Sequence, residues 1–374
     1  FERNDTLLDD PRAATTHPAT LELLDELGLE EEMRKAGLVA PIFQFWDRIS
    51  GDLIAEFDHA LLAGETRFPY VVQCEQFKTA SIALRHLQAE PNADVLFGHE
   101  VVDLSVGEDA VTVTVRNSEG TFTRSARYLI GADGGRSLVR KAAGIVFEGF
   151  TFPEQFMVLT TPFDFLTHRG YSYRSYFADP HEWCNCFKVA ADGPPGLWRT
   201  VYPTNPDATE EELLSDEAVQ ARLQKFFPRD GDYEVVHRNL YRVHQRVAET
   251  FRRGRVLLAG DAAHVNNPIG GMGLNGGIQD AVNLAEKLAK VWHGRGSATL
   301  LDLYDRQRRT ITTEFVQAQT IQNKKRLEAK DEATRQANFR DLRETAADPE
   351  RAKAFLMRSS MLDAQRRAAA LAMT

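Results

Sequence analysis

The spacing of apolar positions predicts strands and helices in alternation over the first part of the chain. Apolar and polar residues alternate over 42–58, which is typical of a half-buried antiparallel hairpin. Apolar residues at helical spacing predict helices over 18–28 and 75–89. A second hairpin pattern begins at Val111 and leads into the buried-strand pattern of 127–133.

The pattern of residue types in the second half of the chain changes twice. Residues 150–245 are rich in aromatic side chains and alternating segments, and they predict a separate antiparallel layer. A buried strand over 255–259, a glycine-rich loop and a helix over 278–291 follow. The remainder, from about 300 to 373, has the pattern of an almost continuous charged helix. Because acids and bases are interleaved there, we expect a solvated or subunit-packing helix.

Composition and charge narrow the classes of function. The chain has 374 residues, of which 43% are hydrophobic and 26% charged, as in average globular domains. Lys and Arg total 45 against 54 Asp and Glu, and the net charge of −9 argues against a nucleic-acid partner. No apolar run reaches the ~18–20 residues of a membrane span. Because Cys74, Cys184 and Cys186 form no C-x-x-C pair, we expect a reducing cytoplasm and no metal site.

The segment after the strand at 255–259 carries the strongest chemical signal. Asp261 follows directly at the strand's carboxyl end, where open α/β sheets bind their ligands. Glycines over 270–273 allow a flat or anionic group to approach the backbone, and a helix begins near Gly276. An Asp suits a polyol, and helix-start amides suit a carbonyl, so the segment predicts a site for a flavin. The alternative is a connecting glycine turn in which Asp261 only caps the helix.

Three blocks of sequence resemble one family. Residues 260–280 resemble the flavin-ribityl motif of FAD-dependent aromatic hydroxylases of the para-hydroxybenzoate hydroxylase type. Residues 128–140 are similar to the Asp-Gly fingerprint of the same single-component flavoprotein monooxygenases. Residues 1–3 and 12–22 resemble the end of the second Rossmann strand and the segment after it. The blocks occur in the order found in the family.

The resemblance implies an α/β fold with three parts. We expect a Rossmann-like FAD-binding domain, an inserted and mainly antiparallel β-sheet domain for the substrate, and a C-terminal helical tail. The family's G-x-G-x-x-G loop is absent, so we expect that about 30 residues are missing ahead of Phe1. The expected ranges are 1–41, 70–149 and 241–300 for the FAD-binding domain, 42–69 and 150–240 for the substrate domain, and 301–374 for the helical tail.

The resemblance also assigns cofactor-binding positions. Glu2 matches the acidic residue for the adenosine ribose, Arg12 the arginine for the pyrophosphate, and Gln73 a glutamine that bonds the flavin side chain. Asp133 matches a residue that serves FAD and NAD(P)H, although a plain turn former fits it equally well. The full set of expected FAD-binding residues is Glu2, Arg3, Arg12, Gln73, Asp133, Asp261, Pro268, Gly271, Gly273, Leu274 and Asn275. Among these, Pro268 is expected against the flavin face, and Leu274 and Asn275 are expected to offer backbone N–H groups.

The implied activity is hydroxylation of an aromatic or heteroaromatic ring with NAD(P)H and O₂ through a flavin C4a-hydroperoxide. A small aromatic substrate and O₂ are the expected partners, and a homodimer is one expected assembly. The catalytic base stays open, with Tyr173, Tyr241 and His244 as weak candidates that are more typical of core or surface positions. Two alternatives remain: a non-oxygenating flavoprotein oxidoreductase on the same fold, and a non-catalytic flavin-binding protein.

Overall fold

The computed structural model describes residues 1–10 and 13–372. Strands and helices alternate up to residue 142, strands dominate from 147 to 248, and helices dominate from 272 onward. The strands are β1 (Thr15–Thr16), β2 (Leu38–Ala40), β3 (Ile42–Asp47), β4 (Leu53–Asp58), β5 (Val71–Gln73), β6 (Glu100–Val106), β7 (Val111–Asn117), β8 (Gly120–Ala126), β9 (Leu129–Gly131), β10 (Phe147–Thr161), β11 (Arg174–Ala178), β12 (Cys184–Val189), β13 (Leu197–Pro203), β14 (His237–Ala248), β15 (Arg252–Arg253), β16 (Val256–Leu258) and β17 (His264–Val265). The α-helices are α1 (Pro18–Glu26), α2 (Glu30–Ala36), α3 (Gln76–Gln88), α4 (Leu138–Ala142), α5 (Phe165–Arg169), α6 (Glu210–Leu214), α7 (Asp216–Phe226), α8 (Met272–Trp292), α9 (Thr299–Ile311), α10 (Ala318–Leu327), α11 (Glu332–Ala347), α12 (Pro349–Ser359) and α13 (Leu362–Ala370).

An eight-stranded sheet forms the predicted antiparallel layer. Its strand order is β17-β14-β10-β13-β12-β11-β3-β4, and every pairing is antiparallel except β11 with β3. Side chains alternate between its two faces, so Tyr176 packs in one apolar cluster with Phe43, and Phe177 packs in another with Tyr171. The face that carries Phe43 and Tyr176 also contacts Met272 at the start of α8. This face is therefore the one turned toward the predicted flavin motif.

Smaller sheets surround that motif. β16 pairs in parallel with β9 and antiparallel with β15, and β5 lies between β1 and β2. A third three-stranded sheet follows the order β6-β7-β8. The arrangement confirms an α/β fold with a large, mainly antiparallel sheet inserted between the segments that carry the flavin motif.

Helix α8 starts earlier than predicted. The expected start near Gly276 is wrong, because the helix already begins at Met272 after Gly271. Gly273, Leu274 and Asn275 therefore lie in its first turn and not in the preceding loop. With 21 residues α8 is long, but within 1–10 and 13–372 no helix is both long and apolar enough to cross a membrane.

The C-terminal region is helical, as predicted, but the expectation that it is a solvated helix is wrong. Phe339 and Leu342 of α11 and Leu356 of α12 are buried in the cluster that includes Phe43. Phe355 stacks on Phe57 of β4 with ring centroids 4.5 Å apart. The interleaved charges masked these apolar positions, which recur at helical spacing. Helices α10 to α12 consequently form one wall of the region beside α8.

Candidate active site

Two acidic residues follow the carboxyl ends of two neighbouring parallel strands. Asp133 lies just after β9, and Asp261 lies just after β16, whose Leu258 pairs with Gly131. Asp261 is exposed, in a short 3-10 turn over Gly260–Ala262. Its carboxylate is thus held at the edge where ligands of parallel sheets bind.

A buried ionic network fixes the turn at Gly260 against α8. The Asp280 carboxylate accepts hydrogen bonds from the Gly260 N–H at 3.0 Å, His264 Nε2 at 2.8 Å and Arg308 Nε at 2.6 Å. Burial alone would raise the pKa of Asp280, but the charges of His264 and Arg308 hold it below its ordinary value. The network therefore keeps the chain at Gly260 in place, and Asp261 with it.

Gly271 and the first turn of α8, residues 272–275, form an open cradle. Gly271 at the N-cap has φ +67°, and no side chain caps the helix. A Cβ at Gly271 would lie 2.9 Å from Thr15 Cβ, so only glycine fits there without displacement. The first backbone N–H groups of a helix have no partner within the helix and face an incoming group at its positive end.

Asn275 ties this helix start to β1, a role that the sequence did not suggest. Its Nδ2 donates to the carbonyls of Thr15 and Gly271, and its Oδ1 accepts from His17 N–H at 2.8 Å. Thr15 Oγ1 in turn donates to Gln73 Oε1 at 2.8 Å. The structure thus brings Gln73 and Asn275 together around Gly271, beside Gly273 and Leu274.

The residues in this cradle fit FAD. Gln73 Nε2 is fully buried and has no hydrogen-bond partner within the described chain, so a donor is left for a ligand. The uncapped helix start suits a carbonyl that gains negative charge, and Asp261 suits the hydroxyls of the ribityl chain. Pro268 is exposed and precedes Gly271, whose N–H donates to the Pro268 carbonyl at 2.9 Å.

Other predicted cofactor residues have contacts elsewhere. The Glu2 carboxylate accepts from both the backbone and the side chain of Asn4, while its backbone pairs with Leu96 and His99. Arg3 is exposed on the same segment. Within the described part of the chain, the hydrogen bonds of Glu2 stay within Asn4, Leu96 and His99 and do not reach the cradle. Arg12 lies outside the described residues.

The Asp133 carboxylate is used by its own loop. It accepts hydrogen bonds from Ser137 Oγ and from Val139 N–H at the start of α4. The sequence analysis did not predict a role for Arg140. This residue is 3% exposed and donates to the carbonyls of Gly135 and Ala262 at 2.9 Å. Arg140 therefore joins the loop after β9 to the loop after β16. The available signal was a basic pair, Arg140 and Lys141, in the short helix that follows the Asp133 loop.

An aromatic cavity lies next to the cradle. The cavity lies between the large sheet and helices α10 and α12, and it opens to solvent. The side chains are mostly apolar, but Arg174 is among them although it is 5% exposed. The lining residues that matter below are Phe43, Tyr176, Gly270, Asn323, Phe355 and Arg174.

The three base candidates do not meet in this cavity. Tyr173 packs in the cluster on the opposite face of the sheet, where Lys188 Nζ lies 5.2 Å from its ring centroid. Tyr241 packs near Phe156, and burial raises the pKa of its hydroxyl. His244 is exposed, and its Nδ1 contacts Thr151 Oγ1 at 2.9 Å.

His244 belongs to a basic surface instead. Partial burial of its ring and the nearby Arg246, Arg242 and Arg136 lower the pKa of His244. Arg136 comes from the Asp133 loop, and the other members come from β14. A concentration of positive charge at this point favours an anion.

Comparison with known proteins places the chain in a family. Residues 1–319 match the model of the FAD binding domain. The chain is 35% identical over 363 residues to para-nitrophenol 4-monooxygenase of Pseudomonas sp. strain WBC-3, covering 95% of this chain and 87% of that protein. It is 34% identical to 6-hydroxy-3-succinoylpyridine 3-monooxygenase of Pseudomonas putida strain S16, with 85% of this chain and 80% of that protein covered.

The fold agrees with a solved relative. The crystal structure of p-nitrophenol 4-monooxygenase from Pseudomonas putida DLL-E4 superposes with a TM-score of 0.91 at 33% identity, covering 98% of this chain and 91% of that chain. These matches confirm the predicted family, its FAD cofactor and its NAD(P)H-dependent monooxygenase chemistry. The chain belongs to the FAD binding domain family and, within it, to the FAD-dependent aromatic hydroxylases.

Proposed function

We propose that this enzyme hydroxylates a small phenol or hydroxy-heteroaromatic ring that carries a second group rich in negative oxygen, such as a nitro group or a carboxylate. The overall reaction consumes NAD(P)H, O₂ and a proton, adds one oxygen atom to the ring, and releases NAD(P)⁺ and water. The observation that carries this substrate class is the guanidinium of Arg174 in the aromatic cavity.

Arg174 lacks a counter-ion among the described residues. Its Nε and Nη1 atoms are buried without a hydrogen-bond partner. Its Cζ atom lies 4.3 Å from the Phe43 ring centroid and 5.8 Å from that of Tyr176. Cation–π contacts of this kind contribute about 1–2 kcal/mol, less than the cost of burying an unpaired charge. A planar oxyanion in the cavity would supply the missing acceptors.

Two buried histidines beside Arg174 leave that charge unopposed. Burial and the charge of Arg174 lower the pKa of both His17 and His59 to about 3, so both rings are neutral at neutral pH. His17 Nε2 lies 2.7 Å from the Gly270 carbonyl, and His59 Nδ1 lies 2.7 Å from the Pro41 carbonyl. Neither ring offsets or adds to the positive charge of Arg174, and that charge favours an anionic substrate.

The cavity walls suit a single flat ring. Phe45 stacks on Tyr176 at 5.2 Å between centroids, and Phe43 and Phe355 stand nearby. Aromatic rings pack well in offset or edge arrangements against such walls. The relatives named above act, by their names, on a nitrophenol and on a hydroxypyridine with a succinoyl group, which supports the same substrate class here.

Residues of the cradle take the cofactor roles in this proposal. The backbone N–H groups of Leu274 and Asn275 hold the flavin carbonyl, Asp261 holds ribityl hydroxyls, and Gln73 Nε2 donates to the flavin side chain. Pro268 lies against the ring face. When bound, FAD supplies electron transfer from NAD(P)H to O₂ and delivers the oxygen atom. The basic surface of Arg136, Arg242, His244 and Arg246 binds phosphates of NAD(P)H.

The test is a substrate screen with an isotope readout. The FAD-loaded protein is incubated with NADH or NADPH and 4-nitrophenol, 4-hydroxybenzoate, 4-methylphenol or aniline. We expect the first two compounds to stimulate NAD(P)H oxidation most, and their products to gain one ¹⁸O atom under ¹⁸O₂. Stimulation without label would favour a non-oxygenating oxidoreductase. Failure to bind added FAD would favour a non-catalytic protein.

A further inference from the structure

The loop Val265–Gly271 leads into the flavin cradle and borders the aromatic cavity. It carries the exposed Pro268, its Ile269 and Gly270 line the cavity, and it ends at Gly271, the N-cap of α8. A loop in that position controls the distance between a cofactor and a substrate. Side-chain amides of buried or partly buried residues form hydrogen bonds that hold this loop in place.

Gln245 of β14 is the centre of these supports. It is 2% exposed, and its Oε1 accepts from Asn267 N–H at 3.0 Å and from Asn267 Nδ2 at 3.2 Å. Asn267 is fully buried, and its Oδ1 accepts a hydrogen bond from Ile269 N–H at 3.1 Å. Two backbone amides of the loop are therefore fixed through one glutamine.

The C-terminal helices supply the other half of the network. Gln245 Nε2 donates to Gln317 Oε1 and, at 3.0 Å, to Thr320 Oγ1. Gln317 ends a π-helical turn, Thr312–Gln317, and its Nε2 donates to the Val265 carbonyl at 3.1 Å. Single π-helical turns are frequent at functional sites, because they rotate side chains out of the regular helical register.

Asn323 of α10 holds the far end of the loop. Its Nδ2 donates to the Ile269 carbonyl at 3.2 Å, and a Cβ on Gly270 would lie 2.8 Å from the same nitrogen. Its Oδ1 accepts from Gln319 Nε2 at 2.8 Å, and Gln319 Oε1 accepts from Arg358 Nε at 3.1 Å. The chain of contacts thus reaches from α12 to the loop.

We propose that Gln245, Asn267 and Asn323 are positioning residues that hold Val265–Gly271 so that oxygen delivery stays coupled to substrate. The inference rests on the proposed function. A loop that needed only burial could be covered by apolar side chains, whereas a satisfied amide network specifies one arrangement. When the loop loses these bonds, NAD(P)H and O₂ with one proton give NAD(P)⁺ and H₂O₂, and the ring stays unmodified.

The test compares Gln245→Met with a matched control, Gln220→Met. Gln220 of α7 exchanges two hydrogen bonds of 2.8 Å with the backbone of Tyr233, on the opposite side of the large sheet. We expect Gln245→Met to accelerate hydrogen exchange at Asn267 and Ile269 about tenfold in the FAD-free protein, because their amides lose acceptors or support. With FAD, the product formed per NAD(P)H should fall by more than half. Gln220→Met should change neither quantity.

A second variant guards against a folding defect in the first. Asn323→Leu removes the bond to the Ile269 carbonyl and the bond from Gln319 Nε2, but it leaves Gln245 and Asn267 in place. We therefore expect a smaller loss of coupling, with the KM for the aromatic substrate nearly unchanged. Unchanged exchange in the loop, or faster exchange with full coupling, would overturn the inference. If the natural protein hydroxylates no aromatic compound, the proposed function fails. The exchange rates and the FAD affinity of the variants then decide the positioning role alone.

Discussion

The cofactor side and the substrate side of this site are built in different ways. The cradle for FAD comes largely from one stretch, β16 through the first turn of α8, with β1 and β5 packed beside it. The cavity draws on β3, β11 and the helices α10 and α12, which are far apart in sequence. The cradle is thus formed mainly by the local backbone conformation of one segment, whereas the cavity is formed by the tertiary packing of distant segments.

The largest expected effect tests whether the cradle depends on distant helices. Asp280→Asn breaks the buried pair with Arg308 of α9 and with His264, and it leaves Arg308 buried without its carboxylate. Breaking such a pair costs about 3–5 kcal/mol of unfolding free energy, which urea denaturation would measure.

The matched control for that variant is Asp302→Asn. Asp302 pairs with Arg252 at 2.7 Å, but its side chain is 67% exposed. An exposed ion pair contributes about 0–1 kcal/mol, so the control should lose little stability. Equal losses in both variants would mean that the network around Asp280 does not fix the cradle.

Two glycines with the same φ of +67°, Gly271 and Gly294, allow a direct test of the cradle. Gly271→Ala places a Cβ 2.9 Å from Thr15, whereas Gly294→Ala meets nothing within 4 Å. Overpacking costs about 1–3 kcal/mol, so we expect FAD binding about 10- to 100-fold weaker for Gly271→Ala alone. Flavin fluorescence titration measures this. Equal FAD affinity in the two variants would refute the cradle assignment.

These two sides were not equally predictable from the sequence. The hairpin of β3 and β4, the helix α3 and the loop before α8 were all predicted, because each depends on local periodicity or on local glycines. The resemblance assigned Gln73 to the flavin side chain, but nothing in the sequence placed Gln73 beside the start of α8. The start of α8 was placed too late, because the glycines at 271, 273, 276 and 277 hide a helix that tertiary packing stabilises.

The cavity escaped prediction for a physical reason. Arg174 contacts Phe43 only because β11 pairs with β3, and no local pattern specifies that pairing. One signal was present: the period of two places Arg174 on the same face as Tyr176 and Ala178. A charged residue in phase with buried apolar ones marks a functional position. The packing of the C-terminal helices was not predicted, because their many charged residues drew attention away from the buried apolar positions at helical spacing.

The smallest expected effect is a pH dependence on the substrate side. His59 binds a proton only near pH 3 when folded but near its ordinary value of 6.5 when unfolded. Between these values the unfolded state binds more protons, so stability falls as pH falls, by about 1.4 kcal/mol per pH unit for each such group. His59→Gln should flatten the slope of unfolding free energy by about half that amount at pH 6.5 and by nearly all of it at pH 5.

The exposed His293 provides the control for this slope. His293→Gln should leave the pH dependence of unfolding as it is in the natural protein. His17→Gln should flatten the slope as His59→Gln does, because burial and Arg174 lower the pKa of both groups to about 3. A slope that is unaffected by either substitution would show that these histidines are not held neutral.

The central claim is that Arg174 holds an oxygen-rich group of the substrate, and one binding experiment tests it most directly. The dissociation constants of 4-nitrophenol and 4-methylphenol are measured for the FAD-loaded natural protein and for Arg174→Met. Loss of a buried charged partner costs about 2 kcal/mol or more, so 4-nitrophenol should bind at least about 30-fold more weakly to the variant. The affinity for 4-methylphenol should change little, and the unfolding free energy should not fall, since an unpaired buried charge is removed. An equal loss of affinity for both ligands would contradict the account.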